Sequence, residues 1–393
     1  MDRMESDGED QEMRAHLMAT PAAKLMEAQK RAEKFAEERE GHKACKELMR
    51  CTVLTRIIYG NGHWRLAEAL ASLAHGYLTL QGLPRQAIHH ANSAKYILLF
   101  PGSEIPAASE EKGAVLSTQV TVYYTLGMAN LMQKNAKEGY CNLQKAEKGM
   151  EELQGLDWKG TAKLKLSKKD IIVALGRASL QKNELDLASK YFEKAVHILI
   201  SAEGDLAPEL ISLYQEIAKI KQMKKIYEKS ISYVLQAYSV SLAVYQKFSP
   251  EVGSAALFLG KAYAATREEK HAEAAEMYFN ESLGAYKVAL GMDHPRTICA
   301  LKVFGKWLAQ IGKRKQAYEL LKESFKTQQN PCNYFNKQAA ERLYIMGCIC
   351  LAEEKIREAY QLLSTCMQIQ TAIYGSHHRK TKKIQELLDM LNM

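Results

Sequence analysis

Between Leu175 and Val196 the chain reads LGRASLQKNELDLASKYFEKAV. Small side chains stand at Gly176, Ala188 and Ala195, and the large Phe192 lies between the last two. Two antiparallel helices approach closely only where both present small side chains at the crossing, and a large residue then fills the groove beside it. The stretch therefore reads as a helix hairpin. Working outward, the first small residue recurs at Ala32, Ala74, Gly127, Gly176, Ala218, Gly260, Gly305 and Gly347, and four of the seven intervals are 42 residues. A second small site follows twelve residues later at Ala44, Gly139, Ala188, Ser230, Ala317 and Ala359. It slips by one to Ala87 and by three to Ala275. Leu48, Leu143, Phe192, Val234, Phe279, Leu321 and Leu363 hold the large position.

One hairpin cannot bury its apolar face alone, so neighbouring copies must stack. Length alone, 393 residues, suggests two or three domains; the repeat replaces that expectation with one continuous array. These marks resemble the tetratricopeptide repeat, whose signature is Leu-Gly-x-x-Tyr followed by Ala, Phe and Ala. Gly260 with Tyr263 and Ala74 with Tyr77 keep its tyrosine. The 42-residue spacing and the Gly-x-x-His turns at Gly60/His63, Gly291/His294 and Gly375/His378 resemble the longer repeats of kinesin light chains. The resemblance implies an all-α fold, a right-handed superhelical solenoid of about eight repeats. Residues 1–20 are then an acidic, disordered tail, 21–378 the superhelix, and 379–393 (RKTKKIQELLDMLNM) a capping helix. Prolines 101, 106, 208, 250, 295 and 331 fall between repeats, and Ser249-Pro250-Glu251 reads as a helix N-cap, first position and first-turn acid. Two connections are longer than the rest, Pro101–Gly113 and the lysine-rich Gly155–Lys169.

Composition narrows the class. With 47% hydrophobic and 25% charged residues the chain is an ordinary globular protein. The acidic start fits neither a secretory signal nor a mitochondrial presequence, and no apolar run is long enough to span a bilayer, so no membrane insertion is expected. The eight cysteines show no framework spacing and read as reduced packing thiols of a cytoplasmic chain. No phosphate loop, zinc-protease helix, paired Cys-x-x-Cys or nucleophile elbow is present. Cys348 and Cys350 point about 200° apart on one helix, and the turn histidines lie at least two repeats apart. No catalytic residue, metal site or cofactor is therefore expected, and the chain reads as a non-enzyme.

The net charge of +9 has a location. Residues 1–12 carry six acids against Arg3, so the surplus lies elsewhere. In tetratricopeptide proteins the first helix of each repeat lines the concave face. The residue after the small one reads Glu33, His75, Met128, Arg177, Lys219, Lys261, Lys306 and Cys348 along the repeats, with Lys302 one turn before Lys306. Arg177, Lys219, Lys261, Lys302 and Lys306 thus form a candidate cationic row for an acidic or phosphorylated protein segment. A second basic feature occupies the turns within hairpins: Lys221, Lys224 and Lys225; Arg267 and Lys270; Lys313, Arg314 and Lys315; Lys355 and Arg357. Such cations also stabilise helix C-termini. Without interleaved aromatics or a nucleic-acid fold, no nucleic acid is expected as a partner. Tyr124 and Tyr344 are aromatic candidates on the groove side, with core packing as their alternative role.

Two longer runs carry a closer resemblance. RCTVLTRIIYGNGHWRLAEALASLAHGYLTLQGLPRQA (Arg50–Ala87) and LSTCMQIQTAIYGSHHRKT (Leu363–Thr381) resemble the tetratricopeptide repeat protein 23 family, and the short tail after the last repeat suits its 23-like branch. The resemblance implies a cytoskeleton-associated scaffold at cilia, centrosomes or microtubules, with a ciliary-base complex linked to Hedgehog signalling as the family's partner. The alternative function is a structural microtubule-associated protein that uses the basic hairpin turns against tubulin.

Overall fold

The computed structural model describes residues 20–99, 109–156, 166–292, 294–326 and 336–391. Among the described residues there are 17 α-helices and no strand. They form eight hairpins and a last single helix. The first four hairpins are α1 (Pro21–Glu37) with α2 (Gly41–Tyr59), α3 (Trp64–Thr79) with α4 (Pro84–Leu99), α5 (Ser109–Met132) with α6 (Ala136–Gly155), and α7 (Lys168–Gln181) with α8 (Leu185–Glu203). The next four are α9 (Glu209–Met223) with α10 (Tyr227–Val244), α11 (Pro250–Thr266) with α12 (Ala272–Leu290), α13 (Pro295–Gln310) with α14 (Arg314–Lys326), and α15 (Lys337–Ala352) with α16 (Ile356–Tyr374). Helix α17 (Arg379–Leu391) closes the series. The chain divides into two compact units, residues 1–198 and 199–393, each a stack of hairpins.

The small-against-large rule operates at each crossing. A Cβ added to Gly127 would stand 2.5 Å from Leu143, one on Gly260 2.8 Å from Phe279, and one on Gly347 2.8 Å from Leu363. Leu143, Phe192, Leu321 and Leu363 are fully buried. The three-residue slip at Ala275 has a physical cause: a short 3-10 turn, Glu269–His271, is inserted between α11 and α12. Every hairpin turn contains one left-handed residue. Glycine supplies it at Gly82 and Gly312, and Arg39, Lys134, Asn183, Lys225, Arg267 and Glu354 supply it in the other six, all with φ between 57° and 64°.

Connections between repeats are built from caps. Ser249 accepts the Val252 amide at 3.2 Å, with Pro250 at the first helical position. The three turn histidines serve as caps too. His63, His294 and His378 each accept through Nδ1 the amide two residues on, from Arg65, Arg296 and Lys380, all at 3.2 Å. The preceding Gly60, Gly291 and Gly375 hold φ of 84–85°. The Pro101–Gly113 connection is shorter than its sequence suggests, because α5 begins at Ser109. The lysine-rich Gly155–Lys169 stretch lies largely outside the described residues, as do Pro101, Pro106, Pro331 and the acidic start.

Seven cysteines are described, all of them free thiols. Cys45, Cys51, Cys350 and Cys366 are buried, and burial pushes Cys51 up to about 11 and Cys366 up to about 12. Cys141 and Cys299 depart from the packing role, since both are exposed.

Candidate functional site: a basic groove in the second unit

The row read from sequence divides between the units. Arg177 lies in the first, exposed on α7, and its charge opposes the upward push that burial gives the Tyr124 hydroxyl. Lys219, Lys261, Lys302 and Lys306 share the second unit on α9, α11 and α13. Two of these four already hold carboxylates. Lys219 meets Glu216 at 3.0 Å, and Lys302 meets Glu341 at 2.7 Å. Lys219 and Lys261 lie 5.4 and 5.5 Å from the centre of the Phe258 ring, a cation–π arrangement that orders both stems.

Lys261 and Lys306 instead line an open cavity of about 740 Å³. Its walls come from three successive hairpins, at the C-terminal ends of α9, α11 and α13. Lys225 and Arg267, the left-handed residues of two hairpin turns, enter the same cavity. Val303, Ala264 and Ala265 supply apolar surface over the buried Phe279 and Trp307, and Gln222, Gln310 and Tyr227 supply neutral polar groups. No carboxylate is among its described lining residues. The side chains of Lys225, Arg267 and Lys306 make no hydrogen bond or ion pair with another described residue. Burial holds the Lys261 ammonium below its ordinary pKa, and the nearby Lys302 and Lys219 push the same way, against an opposing effect from Cys299.

Sequence reading separated the row from the turns and missed that the fold merges them. Lys225 lies six residues past Lys219, the row position of its repeat, at the left-handed turn after α9, and lines the same cavity. The repeated sign of charge at successive turns was the available signal. Most other turn cations are already engaged. Lys270 sits on Glu268 at 2.7 Å and near Glu228 at 3.9 Å, Lys313 holds Glu276 at 2.6 Å, and Lys355 holds Glu353 at 2.8 Å. Glu228, Glu268 and His271 bring ligand atoms within 4.8 Å of one another, the one such group among the described residues. The Lys270 ammonium stands at both carboxylates, and the position a cation would take is thereby filled. Tyr124 and Tyr344 pack against the cores of their own hairpins.

No protein-family model matches the chain. Tetratricopeptide repeat protein 23-like of Mus musculus is 40% identical over 381 residues, which cover 96% of this chain and 82% of the mouse protein. The chain belongs to the tetratricopeptide repeat protein 23 family. Tetratricopeptide repeat protein 23 of Homo sapiens is 31% identical over 383 residues, covering 96% of this chain and 83% of the human protein. Within the family the likeness is thus stronger to the 23-like members.

Among solved structures, the tetratricopeptide repeat sensor protein of Pyrococcus horikoshii, a signal-transduction ATPase, matches with a TM-score of 0.60 at 15% identity, over 96% of this chain and 50% of that one. The apo form of RapI matches with a TM-score of 0.57 at 10% identity, over 95% and 97% of the two chains. Both likenesses concern the fold, an all-α array of tetratricopeptide hairpins. No helix among the described residues is long and apolar enough to cross a membrane.

Proposed function

We propose that this chain is a protein-interaction scaffold whose second unit captures acidic or phosphorylated segments of partner proteins. The observation that carries this reading is the groove lined by Lys225, Lys261, Arg267 and Lys306 with no carboxylate among its described lining residues. Lys225, Arg267 and Lys306 hold no carboxylate among the described residues, so an incoming anion has no internal acid to displace from them. Groups such as Lys302, already held by Glu341, give less. The apolar floor supplies the burial that a purely electrostatic contact lacks.

Cytoskeletal placement at cilia, centrosomes or microtubules rests on the family resemblance and is part of the same proposal. Capture through the hairpin-turn cations outside this groove, as a structural microtubule protein would use, is less favoured, because Lys270, Lys313 and Lys355 already carry carboxylates. The test uses the purified full chain and a fluorescent hexaglutamate peptide. Binding is expected that weakens with salt and is lost in the Lys261→Glu/Lys306→Glu variant, while the helical circular-dichroism signal is kept. Proximity labelling in ciliated cells with both proteins reads the placement. Binding to hexaglutamate that the double reversal leaves untouched refutes the groove.

A further inference from the structure

The groove's charge can be counted. Four cations enter the cavity, but so do the C-terminal ends of three helices, α9, α11 and α13. Each C-terminal end carries at most about half a negative charge, and the N-terminus of α10, where Tyr227 lines the same cavity, carries about half a positive one. Together they offset about one of the four positive charges, leaving roughly three before the rim is counted. A single carboxylate supplies one negative charge. A phosphorylated side chain supplies about 1.5 to 2, concentrated on three acceptor oxygens. At the rim Lys270 and Lys313 face three acids, Glu228, Glu268 and Glu276, so the rim supplies about one negative charge of its own and leaves roughly two positive charges for a ligand.

Geometry adds a second requirement. Val303, Ala264 and Ala265 present apolar surface to the same cavity, backed by the buried Phe279 and Trp307. Backbone conformation also matters. Lys225 and Arg267 are held at φ of 60° and 57°, so their side chains leave a fixed left-handed turn and not a continuing helix. A guanidinium and three ammonium groups around one cavity suit tetrahedral oxygens approached from several sides.

We propose that the groove is a receptor for a phosphorylated residue in a partner protein, flanked by an apolar side chain that lies on Val303, Ala264 and Ala265. This deepens the reading of the groove as the capture site and rests on it. Half-buried Lys261, whose ammonium is disfavoured by burial and by its lysine neighbours, is the cation with most to gain from a dianion placed beside it.

The experiment passes the purified full chain over three immobilised degenerate peptide libraries of the form Gly-X4-Z-X4-Gly, with Z as phosphoserine, glutamate or serine. The phosphoserine library is expected to be retained at least tenfold better than the glutamate library, with apolar residues selected next to Z. Lys225→Gly/Arg267→Gly tests the site without threatening the fold, since glycine suits both left-handed turns. Its retention of the phosphoserine library is expected to fall at least tenfold with an unchanged thermal midpoint or a raised one. Equal retention of the glutamate and phosphoserine libraries overturns the phosphate reading and leaves anionic capture standing. Retention of none of the three overturns both. Full retention by the glycine variant moves the phosphate site away from this groove. Binding to vesicles of anionic phosphoinositide in place of the peptides overturns the assignment to a protein segment.

Discussion

Lys261 shows how one residue can carry both a cost and a use. Its ammonium stands 5.5 Å from the centre of the Phe258 ring, the residue lines the cavity, and burial together with Lys302 and Lys219 holds its pKa below the ordinary 10.5. A lysine with a lowered native pKa penalises the folded state while it is charged. Between the native pKa and 10.5 the unfolded chain binds more protons, so stability rises with pH across that window. Below the window the penalty is present in full. Lys261→Met keeps the stem and removes the charge, and is therefore expected to raise the unfolding midpoint at neutral pH. The gap between variant and wild type should then shrink as pH climbs toward 10.5. Denaturant unfolding of both proteins over the alkaline range measures this, and parallel curves would contradict a buried, penalised ammonium. Such a residue keeps its charge at neutral pH against the interest of the fold, which is the expected condition of a group retained for an external anion.

At the level of the hairpin, the crossing glycines explain why a short pattern was sufficient to identify the fold. The requirement for smallness is local, repeats with every copy, and leaves a mark at fixed spacing that no other arrangement of these helices needs. Its strength can be tested by a reversal of sign. Gly→Ala within a helix ordinarily stabilises by about 0.5–1 kcal/mol. That is the expectation for Gly284 in α12, where an added Cβ meets nothing within 4 Å. At Gly127 the same change puts Cβ 2.5 Å from Leu143 and 3.2 Å from the Gly139 carbonyl oxygen. Overpacking there is expected to cost about 1–3 kcal/mol. Thermal melts of Gly127→Ala and Gly284→Ala should move in opposite directions, and a shared direction would mean that α5 and α6 cross more loosely than their backbones indicate. The turns obey a different logic. Their left-handed residue is glycine in only two of eight hairpins, so nothing in composition marks it. For that reason the elements were legible in the sequence while the path of Lys225 and Arg267 into the groove was not.

Across the whole chain the repeat told which residues share a register, and the fold followed from it. The site did not follow, because register is blind to what each cation already holds. Lys219 and Lys302 fit the row as well as Lys261 and Lys306 do, yet their charge is spent on Glu216 and Glu341, and the second of those acids arrives from α15, two helices further along the chain. Arrays of this kind have one further whole-chain consequence. Within a unit each hairpin is covered by its neighbour, so the last one needs cover from elsewhere. Helix α17 provides it by burying Ile384, Leu388 and Thr381, with Ile384 and Leu388 in the same cluster as Ala340, Leu343, Leu363, Cys366 and Ile369. Ile384→Asp/Leu388→Asp places two carboxylates where no partner is available, and such burial costs several kcal/mol unless the helix detaches. Detachment uncovers α15 and α16, which then offer a continuous apolar face. The variant is expected to lose its melting transition for the second unit at lower temperature and to elute as larger species on size exclusion. The Gln385→Ala/Asp389→Ala control, which removes only an exposed 2.7 Å hydrogen bond on the outer side of the same helix, should behave as wild type. A monomeric Ile384→Asp/Leu388→Asp protein with an unshifted midpoint would show that α15 and α16 are stable uncovered, and that the last helix serves something other than the fold.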